Sequence, residues 1–180
     1  VCSSDLMMYG KTIVLLTSEA ERLGIRSTVV DTNDLAATTA AVVSETRLLV
    51  CETISNPLMR VADIPALAKL SKDRGFALLV DNTFASPVVC RPLEWGADLV
   101  MESMTKIMNG HSDAMLGLLC GREQHWERVH KALTTWGLTA APFDCWLVER
   151  GLGTLYLRVV AASRTAERLA EALRSSPAIA

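Results

Sequence analysis

Phe76-Ala77-Leu78-Leu79-Val80 runs straight into Asp81-Asn82-Thr83-Phe84. A continuous apolar run with no polar alternation is the mark of a strand buried on both faces, as in parallel sheets covered by helices. The polar residues after it fall at the strand's carboxyl end, where open α/β sheets gather their ligands. This one stretch therefore predicts both a fold class and the place to look for a site.

The flanking sequence repeats the theme. Upstream, Asp63–Arg74 sets Ile64, Leu67 and Leu70 at helical spacing, with Asp63 as cap and Gly75 as stop. Before it, Arg47–Glu52 reads as an apolar strand and Ser55-Asn56-Pro57 as a loop. Earlier still, Thr12–Leu23 mixes apolar residues with charges and meets the helix-stop Gly24. Ser27–Val30 is a short β-branched strand, and Leu35–Val43 an Ala-rich helix capped by Asp34. Downstream, Gly96 and Ala97 lead into the strand Asp98–Met101, and Ala114–Cys120 is a further strand candidate. Strands separated by helices imply parallel βαβ units.

The last third changes character. Arg122–Thr135 and Phe143–Arg150 read as helices, and Leu155, Val159, Ala162, Ala166, Leu169 and Leu173 form one apolar stripe, expected as core. The expected architecture is α/β, a mostly parallel sheet between helical layers over residues 1–153, with 154–180 a long helix leading to a further domain. The chain is read as a piece opening partway through an element, with its first few residues open to a non-native origin.

Composition narrows the partners. Eighteen Lys and Arg against twenty Asp and Glu leave a formal charge of −2 over 180 residues, with no basic stripe, so neither nucleic acid nor an anionic membrane is an expected partner. The apolar runs are too short to span a bilayer, and no signal peptide is read at the start. Cys2, Cys51, Cys90, Cys120 and Cys145 are far apart, which fits free thiols in the cytosol rather than a disulfide framework or a zinc knuckle. His125 and His130, five apart, miss the spacing for shared metal ligation and are read as solvated; no metal is expected.

Three polar motifs fall at strand ends: Glu52–Asn56, Asp81–Ser86 and Ser103–Lys106. A lone Asp81 is most simply a strand-end turn residue, but aimed into a cleft it would keep a pyridine nitrogen protonated. A lone Lys106 is most simply a surface charge. Set between Met104 and Ile107, it reads instead as a desolvated amine able to attack an aldehyde, with the hydroxyls of Ser103 and Thr105 beside it for a phosphate. Gly10-Lys11-Thr12 imitates the end of a P-loop, but Asp5 stands where the first glycine belongs. His111-Ser112-Asp113 cannot form a triad, because consecutive residues do not converge. They are read as shaping the loop after Lys106.

Asp81-Asn82-Thr83-Phe84-Ala85-Ser86-Pro87 and Ser103-Met104-Thr105-Lys106-Ile107-Met108-Asn109-Gly110-His111-Ser112-Asp113 closely resemble the trans-sulfuration (Cys/Met metabolism) enzymes that depend on pyridoxal 5'-phosphate (PLP). Glu52-Thr53-Ile54-Ser55-Asn56-Pro57 and Pro142-Phe143-Asp144 with Arg150-Gly151-Leu152 resemble two further motifs of that family, in the same order. The resemblance implies the large PLP-binding domain of the aspartate-aminotransferase-like (type I) fold. Lys106 would bind the cofactor covalently and move protons at the substrate's α and β carbons. Asp81 would pair with the pyridine nitrogen, and Ser103 and Thr105 with the phosphate. Asn56 would lie near the ring oxygen, Thr83 near the ring face, and Tyr9 would stack on the ring and assist proton transfer.

The implied reaction is β/γ-elimination or γ-replacement on a sulfur amino acid or activated homoserine, of the cystathionine γ-lyase or γ-synthase type, in a cytoplasmic homo-oligomer, a dimer of dimers. The alternatives are a catalytically silent truncated domain and an aminotransferase of the same fold. Lys11, Met104 and Ala141 depart from the family pattern, which has Gly, Ala and often Ser there. A phosphate loop and an interface Tyr/Arg pair are expected upstream of these residues, and a carboxylate-binding arginine downstream.

Overall fold

The computed structural model describes residues 2–5, 8–174 and 176; Val1 and the last residues of the expected C-terminal helix segment lie outside them. Six strands form one sheet: β1 (Cys2–Asp5), β2 (Ser27–Val30), β3 (Leu48–Glu52), β4 (Ala77–Asp81), β5 (Leu99–Ser103) and β6 (Gly117–Gly121). Their order is β2-β1-β3-β4-β5-β6. The pairings are parallel except that of β5 with β6, which is antiparallel. The mostly parallel α/β sheet expected from the sequence is present. β1 was not read as a strand, yet it sits inside the sheet between β2 and β3.

The connections follow the local signals. A helical stretch begins at α1 (Gly10–Val14), loosens into a π-helical turn over Leu15–Glu19 and ends in α2 (Ala20–Arg22). In α3 (Leu35–Ala41) the Asp34 carboxyl accepts the Ala37 N–H at 2.9 Å. The helix is shorter than expected because Val42 turns extended. In α4 (Ile64–Arg74) Asp63 caps the Ala66 N–H at 3.0 Å. Gly75, at φ 74°, closes that helix in the left-handed conformation that glycine adopts without steric cost. A short α5 (Ser86–Val89), not read from the sequence, precedes β5.

Ile64, Leu67 and Ala68 of α4 pack on Leu49, Cys51, Leu78, Val80 and Val100 of one sheet face. Met8, Ile13 and Leu16 pack on Leu48, Val50 and Leu79 of the other. Alternation along the strands divides the two faces. Within β4, Leu78 and Val80 are fully buried, whereas Ala77 and Leu79 are half-buried. The run read as buried on both faces is thus completely covered on the α4 side only.

The C-terminal helices are α6 (Glu123–Trp136), α7 (Pro142–Leu152) and α8 (Leu155–Arg174). Val148, Leu155 and Val159 join Met104, Met108 and Ala114 in a second core. The α8 stripe departs from expectation here. Only Leu155 and Val159 are buried, and Leu169 and Leu173 are exposed, because α8 runs past the elements it packs on. Among the described residues no helix is long and apolar enough to cross a membrane.

Candidate active site

Strand register assembles the site. Glu52 pairs with Asp81 across β3 and β4, and Asp81 with Met101 across β4 and β5. Paired residues share a sheet face, and Ser103 lies two residues beyond Met101 on that same face. Glu52, Asp81 and Ser103 therefore come together at the carboxyl ends of three adjacent strands. They line a cleft of about 620 Å³ with Tyr9, Asn56, Thr83, Thr105 and Lys106, and with the apolar Ile54, Phe84, Ile107 and Met115. All seven side chains singled out from the sequence line this one cleft.

The floor is polar and ordered. The Asp81 carboxyl accepts the Thr83 N–H at 3.0 Å, and the Thr83 hydroxyl accepts the Ser103 N–H at 2.8 Å. Thr83 thereby ties the loop after β4 to the end of β5. Lys106 sits in a π-helical turn, Met104–Met108, that it interrupts with φ −90° and ψ −136°. It is exposed in this chain, not desolvated as its neighbours suggested. The reason lies in the turn, which aims Met104 and Met108 into the second core and leaves Lys106 on the open side. Met104 fills that core and is not a lining residue of the cleft. Tyr9 is 58% exposed, so it is not packed as an ordinary strand-end aromatic.

Glu52 opens the first of the three strand-end motifs. It is 7% exposed, and its Oε1 accepts the Tyr9 N–H at 2.7 Å. Its other oxygen, Oε2, is buried with no hydrogen-bond partner. Burial raises its pKa, the Tyr9 N–H and more weakly the Asn56 N–H oppose that, and the charges of Asp81 and Asp5 add to the rise. No sequence signal distinguishes this glutamate from any other at a strand end; its buried environment does.

A second polar network lies behind the cleft, on the opposite sheet face. Asn82 is 1% exposed; its Oδ1 accepts the Thr53 hydroxyl at 2.7 Å. Its Nδ2 donates to the Cys90 carbonyl at 3.0 Å and to Glu102 Oε1 at 2.8 Å. Burial pushes the Glu102 carboxyl up to about 7, against the Asn82 hydrogen bond, with the Asp81 charge adding to the rise.

Beyond the lysine, the His111 ring meets the Asn109 carbonyl at 2.7 Å, and Asp113 accepts from Asn109 at 2.7 Å and from Arg150 at 3.3 Å. His111 and Asp113 shape this loop, as expected. His125 is not free in solvent: its side chain is 28% exposed and lies 3.6 Å from Asp98. Among the described residues no group of three His, Cys, Asp or Glu could hold a metal.

The α/β sheet, with a lysine, two carboxyls and several hydroxyls at its strand ends, has the fold of the PLP-dependent cystathionine lyases. The chain belongs to the family of Cys/Met metabolism PLP-dependent enzymes, whose model matches residues 1–180. It is 38% identical to cystathionine beta-lyase of Bacillus subtilis over 96% of its length, and 40% identical to L-methionine gamma-lyase of Porphyromonas gingivalis over 96%. It spans 44% of the length of each of these relatives. Among solved structures, cystathionine gamma-lyase from Lactobacillus plantarum, complexed with L-serine, superposes with a TM-score of 0.94 at 36% identity. That match covers 98% of this chain and 46% of the other.

Proposed function

We propose that these residues form the cofactor-binding part of a trans-sulfuration enzyme that carries out β/γ-elimination or γ-replacement on a sulfur amino acid or activated homoserine. The observation that carries the reading is the convergence of Lys106, Asp81, Ser103, Thr105, Asn56, Thr83 and Tyr9 on one cleft of about 620 Å³, within the size range of small-ligand pockets. The donor set suits a phosphorylated pyridine aldehyde: an exposed amine, a carboxylate at a strand end, and hydroxyls beside the amine.

When bound, PLP supplies an electron sink for the carbanion formed at the substrate's α carbon. In this reading Asp81 would hold the proton on the pyridine nitrogen, and Ser103 and Thr105 would bind the phosphate. Asn56, Tyr9 and Thr83 would contact the ring. Lys106 would hold the cofactor and move protons at the substrate's α and β carbons.

The whole enzyme is proposed as a cytoplasmic homo-oligomer, with α8 as the lead into a further domain. The free Cys51 and Cys90, both buried, support a reducing compartment. The exposed Trp136, Phe143 and Trp146 support a subunit contact.

The test mixes the purified protein with PLP, reduces with borohydride and maps the labelled peptide by mass. Label confined to Lys106, and lost in Lys106→Ala, is the expected result. Label spread over surface lysines and unchanged in the variant would remove the reading. In turnover assays a lyase releases keto acid, ammonia and thiol, whereas an aminotransferase leaves its amino group on the cofactor.

A further inference from the structure

Arg158 lies far from Lys106 in sequence and outside the cleft lining, yet its guanidinium is spent on the lysine turn. Lys106 leaves helical geometry, and the two carbonyls just after it, at the end of the turn, are met by Arg158. Arg158 Nη1 donates to the Ile107 carbonyl at 2.6 Å and Nη2 to the Met108 carbonyl at 3.0 Å. Nη2 also donates to the Gly151 carbonyl at 3.0 Å, near the end of α7, and Nε to the Thr154 hydroxyl at 3.0 Å. The planar fork of an arginine can hold several acceptors in one fixed geometry, which a lysine cannot.

The packing around it is close. A Cβ on Gly110 would stand 2.1 Å from Arg158 Nη1, and Gly110 has φ +77°. A Cβ on Gly151 would stand 2.6 Å from the Asn109 carbonyl oxygen. The two glycines let the turn and α7 close on the guanidinium. Met104 and Met108 pack on Leu155 and Val159, so the turn is also gripped by the helix that carries Arg158.

We propose that Arg158 is a positioning residue that holds the Lys106 turn so that the ε-amine meets the cofactor's aldehyde carbon. The inference rests on the reading of Lys106 as the cofactor lysine. In the step concerned, the amine adds to the aldehyde carbon, a carbon–nitrogen bond forms and water leaves; borohydride then delivers hydride to that carbon.

The test compares wild type, Arg158→Met and Arg158→Lys in two measurements. One is the rate of borohydride-trapped labelling at Lys106. The other is the affinity for pyridoxamine 5'-phosphate, which has no aldehyde and reports the rest of the site. Far-UV circular dichroism and melting check the fold. A trapping rate about tenfold lower in Arg158→Met, with pyridoxamine phosphate affinity within about twofold of wild type and partial recovery in Arg158→Lys, is expected. Equal trapping rates, or trapping and affinity falling together, overturn the proposal. Should Arg158→Met not fold, Thr154→Val, which removes the Nε contact together with the hydroxyl's own bond to the Gly151 carbonyl, takes its place and must slow trapping about two- to threefold at unchanged affinity. Absence of Lys106 labelling in wild type is a different result and sinks the cofactor-lysine reading itself.

Discussion

Asp81 shows how far a single residue can be read. Its place after an apolar run marked it, and its carboxyl is oriented by the Thr83 N–H toward the cleft. A charge-assisted contact to a protonated ring nitrogen contributes roughly 1.5–3 kcal/mol. Asp81→Ala is therefore expected to weaken PLP binding by about ten- to a hundredfold. Absorbance titration checks this, and an unchanged affinity would take Asp81 out of the site. Glu52 was less legible. Its hydrogen bond to Tyr9 and its orphaned Oε2 depend on burial by residues distant in sequence. Lys106 was identified by its neighbours, but its exposure was not, because the backbone turn at Lys106 itself decides which side chains face inward.

Among the elements, β5 carries the clearest pH signature. Alternation sends Ser103 to the cleft and Glu102 to the opposite face, where it is 4% exposed. Its carboxyl titrates near 7 against an ordinary value of 4.5, so the folded state holds that proton more tightly than the unfolded one. This stabilisation is fully present below about pH 4.5 and is lost as pH rises through about 7. Glu102→Gln removes the dependence. The variant's stability relative to wild type is expected to rise by about 2–3 kcal/mol between pH 5 and pH 8, measured by urea unfolding. A flat difference would mean that Glu102 ionises freely. In α4, Asp63→Ala removes the cap on the Ala66 N–H and is expected to cost about 1 kcal/mol; a melting temperature equal to wild type would show the cap to be idle. Caps of this kind were legible because they involve residues three apart. β1 and α5 were not, since Cys2–Asp5 lacks the β-branched residues that marked the equally short β2 and Ser86–Val89 is too brief for helical periodicity.

For the whole molecule, cofactor binding and folding are linked. A ligand held only by the folded state stabilises it by about 2.7 kcal/mol at a hundred times its Kd. PLP is expected to raise the melting temperature of wild type at concentrations where Asp81→Ala shows a smaller rise. Equal shifts in both would place the binding elsewhere. The exposed outer half of α8 and the partly covered sheet face opposite α4 belong to this scale as well. Both carry apolar residues whose burial within the described residues is incomplete.

The sequence by itself determined the order of strands and helices apart from β1 and α5, the caps at Asp34 and Asp63, and the three polar motifs at strand ends. These depend on contacts between residues a few positions apart, which periodicity and turn chemistry record. It also determined which family the motifs resemble. Only the tertiary structure decided that Glu52 and Asp81 stand in register, that Asn82 and Glu102 form a buried network behind them, and that Arg158 grips the Lys106 turn. Those relations join segments about twenty to fifty residues apart. Strand pairing and helix packing create them, and no local pattern encodes which distant backbone a side chain will meet.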